Sequence, residues 1–86
     1  MYKYEVTRSS GVKGKKHGKL LHKYTIWAKN IFQATKIEGK TLNEREKAMI
    51  RAEDKAMGKE TGNCFIQRYK TGLPENRIQH VCIFRK

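Results

Sequence analysis

The chain has 86 residues, 20 of them Lys or Arg and 8 Asp or Glu, a formal charge of +12 with three neutral histidines. That length sets a single domain, 1–86, and with 37% hydrophobic residues and a mean hydropathy of −0.84 its core must be small. A chain this short buries only ~60–65% of its unfolded surface, which excludes a large enclosed substrate cavity. No apolar run approaches the roughly 18 residues of a membrane span. The N-terminal Met1, Tyr2, Lys3, Tyr4 and Glu5 have no apolar signal core. The expectation is a soluble protein of the cytoplasm, a host cell's cytoplasm included, with no membrane partner.

Tyr2, Tyr4 and Val6 alternate with Lys3, Glu5 and Thr7, the period of a half-buried strand. From Ser9 to Lys19 three glycines and four lysines surround one apolar residue, which predicts a flexible basic loop over about 9–19. Leu20 to Ala28 alternates again, with Leu20, His22, Tyr24, Ile26 and Ala28 on one face and Leu21, Lys23, Thr25 and Trp27 on the other. Tyr2, Tyr4, Val6, Tyr24 and Ile26 are expected to form the helix-facing core.

Asn30 with Gln33 predicts a capped helix carrying Ile31, Phe32, Ala34 and Ile37 and stopped by Gly39. Thr41 with Glu44, or Asn43 with Glu46, opens a second helix from about Leu42 to Met57. Its apolar arc is read as Leu42, Ala48, Met49, Ala52 and Ala56, widened by Ile50 and Met57, with Gly58 or Gly62 ending it. Cys64 to Tyr69 and His80 to Arg85 are the last strands, joined by a turn containing Gly72, Pro74 and Asn76. The order β-β-α-α-β-β predicts an α+β fold, a mainly antiparallel four-stranded sheet with both helices on one face and the other face open.

Charge is unevenly placed along this order. Residues 1–37 hold nine cations and one acid, 38–60 six of each, and 61–86 five cations and one acid, so the helix-bearing segment is neutral. A dense positive field selects nucleic acid or an acidic protein as partner. The loop cations Lys13, Lys15, Lys16, His17 and Lys19, continued by Lys23, suit phosphate contacts, since glycines let the backbone approach while mobile ammonium groups displace counterions. The segment from Gly14 to Lys19 is one residue short of P-loop spacing, and Leu20 stands where a magnesium-binding hydroxyl belongs. Trp27, on the face with Lys23 and Thr25, either is a stacking platform for unpaired bases, or closes a second small core or packs under the basic loop; Tyr69 or Phe65 joins it according to which face of the third strand is open. Arg68, Lys70 and Arg85 complete the candidate contacts. Lys47, Arg51, Lys55 and Lys59 follow one ridge of the second helix but alternate with acids, and read as a solvated face. The sheet resembles RNA-recognition sheets in kind, without their RNP1 motif or their element order.

Two cysteines, Cys64 and Cys82, are too few for a secreted disulfide framework and are expected as reduced, buried thiols; whether they face each other depends on strand register. His17, His22, Cys64, His80 and Cys82 lack the close ligand pairs of a zinc site, and no cofactor motif is found. No catalytic signature stands out either, so the chain is read as a non-enzyme. Its size, charge and strand-rich end resemble small ribonuclease toxins of the RelE kind, with His80, Arg85, Lys86 and Tyr69 as the groups such chemistry would use, but that family places helices directly after its first strand. In style the chain also resembles short phage-encoded inhibitors and host-takeover proteins, which occupy an acidic or nucleic-acid-binding groove of a larger machine. The favoured expectation is an accessory or regulatory protein that binds RNA or DNA largely without regard to sequence, of undetermined oligomeric state.

Overall fold

The computed structural model describes residues 1–10, 18–68 and 78–86. Its elements are β1 (Tyr2–Ser10), β2 (Leu20–Ala28), α1 (Ile31–Ile37), α2 (Glu44–Met57), β3 (Asn63–Arg68) and β4 (Ile78–Arg85). The four strands form one antiparallel sheet in the order β2-β1-β4-β3, so the fold is α+β with the expected element sequence. β1 runs further than its apolar alternation suggests, because Ser9 and Ser10 still pair with His80 and Gln79 of β4. Beside β2 the register shifts between Arg8 and Ser9, which pair with His22 and Leu20, leaving Leu21 as the extra residue of a bulge.

Directly opposed residues of an antiparallel pair share a face. On the helix side lie Tyr4, Val6, Ala28, Val81 and Ile83, and with Ile31, Ala34, Leu42 and Ile50 from the helical segment they form the core; Ile26, Phe32 and Phe65 pack around it. Each large member contributes ~1.5–3 kcal/mol by burial. Tyr2 and Tyr24 share this face but are not core, being 47% and 37% exposed. Tyr2 sits at the end of its strand, and Tyr24 lies on edge strand β2 with its hydroxyl directed to Glu38 at the end of α1.

Both helices are capped by their own side chains. Asn30 Oδ1 accepts from Gln33 N, while the Gln33 amide oxygen accepts from Lys29 N, one residue before the position a capping box uses. For α2 the structure selects Asn43 and Glu46, which close a full capping box, over Thr41 and Glu44. Gly58, in the left-handed conformation, is the C-cap.

The expected apolar arc of α2 is corrected. Ala48, Met49, Ala52, Ala56 and Met57 are exposed, and the helix seats itself through Ile50, with Leu42 just ahead of it. A methyl group has little area to bury, so one isoleucine and one leucine outweigh three alanines in setting the helix rotation. α1 is held more deeply: Thr35 is fully buried, donates to Ile31 O and accepts from Asn63 Nδ2 of β3 at 3.2 Å.

Candidate nucleic-acid interface

The face without helices presents an ordered set of side chains. In one row across the sheet Trp27 stands opposite Lys3, and Lys86 follows through its backbone bond to Lys3 O. The next row is Thr25, Glu5 and Phe84, and the one after it Lys23, Thr7, Cys82 and Cys64. Ser9, His80 and Ile66 come next, then Ile78 and Arg68. Trp27 is 59% exposed and Ile66 equally so, with Phe84 at 47%. The indole is thus solvent-facing beside cations, and the alternative of a second small core under Trp27 is set aside.

Electrostatics on this face centre on Glu5. Lys23 Nζ reaches its carboxylate at 3.0 Å and Lys86 Nζ at 3.5 Å. The Lys23 hydrogen bond, helped by the charges of both lysines, holds the Glu5 carboxyl below the usual carboxylate range against a smaller opposing effect of desolvation. Two ammonium groups therefore share one acid. Among the described residues neither Lys3 nor Arg68 has a carboxylate within ion-pair distance.

The opposite face holds a different constellation that sequence reasoning missed. Arg8, on the helix side of β1, donates from Nε to Tyr24 Oη at 2.9 Å, from Nη1 to Gln67 and Gln79, and from Nη2 to both the backbone and side-chain oxygens of Glu38. The Arg8–Glu38 pair is well shielded, with side-chain exposures of 12% and 7%. Tyr24 Oη also donates to Glu38 Oε1, and burial, reinforced by that bond, raises the Tyr24 phenol above its usual pKa. Tyr4 Oη donates to Glu60, and its phenol is likewise pushed up, by burial first and Glu60 second. The network ties the end of α1 to all four strands and removes one cation from the available charge.

The remaining expected contacts divide by position. Lys19 is exposed beside the hairpin base, where Ser10 N donates to Lys19 O and Gly18 N to Ser10 O. Gly18 is needed there, since a Cβ would meet Ser10 O at 2.3 Å. Lys13, Lys15, Lys16, His17, Lys70 and Tyr69, and the turn at Gly72, Pro74 and Asn76, lie outside the described residues. Their flanks are informative: Ser10 pairs with Gln79, and Ile78 with Arg68, so the segments 11–17 and 69–77 both depart from the same end of the sheet. Arg85 stands apart from Trp27, on the helix-side face with its guanidinium 3.5 Å from the Tyr2 ring centroid. Phe65 packs against the core and does not extend the Trp27 surface. Phe84 does, and its place was readable from the alternation of His80, Cys82 and Phe84 against Val81 and Ile83.

Cys64 and Cys82 are corrected from two reduced, buried thiols to one disulfide: they are directly opposed in register, with Cα atoms 4.1 Å apart, and Cys64 is exposed. Bonded to each other, they are not thiolate ligands, and His22 and His80 lie on opposite faces. His80 and Arg85, two of the groups considered for RNA cleavage, are also on opposite faces and five residues apart along β4, so these two do not converge on one point. Among the described residues no helix is long and apolar enough to cross a membrane. No family model, curated protein or solved structure matches this chain.

Proposed function

We propose that the protein is a non-enzymatic nucleic-acid-binding domain, accessory or regulatory in role, that holds phosphates through the 13–23 basic segment and the uncovered sheet face. The observation that carries this reading is where the excess charge falls. The helix-bearing segment is neutral, whereas nine cations against one acid precede it and five against one follow it. The connections 11–17, with three lysines and no acid in sequence, and 69–77, with Lys70 and Arg77 against Glu75, leave the same end of the sheet, next to Arg68 and Lys19. Fields of like sign add at such an end and attract a polyanion.

Salt dependence tests the reading. Affinity for a generic oligonucleotide is expected to fall steeply with salt, and reversing Lys13, Lys15, Lys16 and Lys19 to Glu is expected to lower the log–log slope by roughly 3 or more, about one unit per lost phosphate contact. The reversals Lys55→Glu and Lys59→Glu on the neutral helix segment serve as the control and are expected to leave the slope nearly unchanged. An unaltered slope in the loop variant contradicts the assignment. Capture of a partner that survives nuclease treatment, with no oligonucleotide binding at low salt, contradicts the function itself and favours a protein target.

A further inference from the structure

We propose, resting on the nucleic-acid reading above, that the uncovered sheet face takes single-stranded nucleic acid in preference to duplex, with unpaired bases stacked on Trp27 and Phe84 and phosphates held by Lys3, Lys23 and Lys86. Large rings on a small domain are normally drawn into its core. Here the indole of the chain's single Trp is 59% exposed on edge strand β2, facing the same way as Lys3.

Phe84 lies two strands away and one row along, roughly 12 Å from Trp27 between Cα atoms by ordinary sheet spacings. Its ring lies against Gly62, where an added Cβ would come 2.5 Å from Phe84 Cδ1, so the absent side chain is what leaves room for the ring there. Gly62 also has φ of +98°, which a residue with a side chain rarely adopts.

The lysines between and beside these rings supply the second half of the recognition. Lys3 and Lys86 occupy the Trp27 row, and Lys23 approaches from the far side of Glu5. A phosphate arriving here competes with one carboxylate for two ammonium groups and finds Lys3 without a carboxylate partner among the described residues. Exposed π-faces interleaved with cations fit a strand whose bases are unstacked, because each base then offers a face to a ring and its phosphate to a lysine. A duplex keeps its base faces against one another and is read in the grooves by a protruding helix or ribbon. This face has no such protrusion among the described residues; its helices are on the other side. Base faces and phosphates are common to DNA and RNA, so both kinds of single strand are expected to bind.

The test is a set of titrations at low salt with an unstructured DNA strand of about 12 nucleotides, the same strand annealed to its complement, and the RNA strand of the same sequence, followed by Trp27 emission and by anisotropy. The single strands are expected to bind more tightly than the duplex and to quench Trp27. Trp27→Ala and Phe84→Ala are each expected to weaken single-strand binding roughly 5- to 100-fold while changing duplex binding by less than about twofold. Trp27→Phe, which keeps a ring, is expected to recover most of the loss. Trp27→Ala removes an exposed side chain, and circular dichroism verifies that both alanine variants remain folded. Duplex binding as tight as single-strand binding, with Trp27 emission unaltered at saturation, overturns this inference and leaves the phosphate-binding function standing. Absence of salt-dependent binding to all three probes overturns both.

Discussion

Arg8 is a shielded guanidinium whose acceptors among the described residues include groups from four separate parts of the chain: Tyr24, Glu38, Gln67 and Gln79. Removing one partner of such a pair leaves the other desolvated and unmatched, whereas removing both together has a far smaller effect. Arg8→Met is therefore expected to destabilise the fold by about 3–5 kcal/mol in urea unfolding, and Arg8→Met combined with Glu38→Leu by much less than the sum of the single changes. A loss below about 1 kcal/mol for Arg8→Met contradicts the network's structural role. Little of this was legible beforehand. Alternation places Arg8 on the face of Tyr4 and Val6, but its partners are 30, 59 and 71 positions away and become neighbours only through the strand order. Trp27 is the opposite case. Its face followed from the period of β2, and only its exposure depended on where the helices settled.

The elements were readable to the extent that their signals are local. Strand alternation and the Asn30 and Asn43 caps depend on residues within a few positions, and they mark where β2, α1 and α2 begin. The rotation of α2 was not local, since it is decided by what Ile50 and Leu42 meet on the sheet. The register of β3 against β4 was not readable either, because a long connection carries no turn rule that sets it. That register makes Cys64 and Cys82 opposite neighbours, and their bond closes a loop with a sequence separation of 18. Reduction, or the paired replacement Cys64→Ser with Cys82→Ser, is expected to lower stability by about 3 kcal/mol, measured as the shift in unfolding midpoint with and without a dithiol. Two thiols that react with an alkylating reagent in denatured, unreduced protein would contradict the bond.

At the scale of the whole molecule, the asymmetry of charge was present in the sequence, but its geometry was not. The order β2-β1-β4-β3 brings the flanks of both basic connections to one sheet end and sets Trp27, Lys3 and Lys86 together at the other, with Lys23 between them on the same face. Some of the formal +12 is thereby withdrawn: Arg8 is internal to the fold and Arg85 lies over Tyr2 on the helix side. The helix layer has its own exposed apolar residues, Met49 and Met57. The two surfaces separate cleanly in a residue-resolved experiment. In an NMR titration of the full chain with a short single strand, shift changes are expected to concentrate at Lys3, Lys23, Trp27, Phe84 and Lys86 and in the basic segment from Lys13 to Lys19, and to leave Ala48, Ala52 and Met57 unmoved. Changes confined to the α2 surface, with the sheet face silent, would contradict the proposed interface.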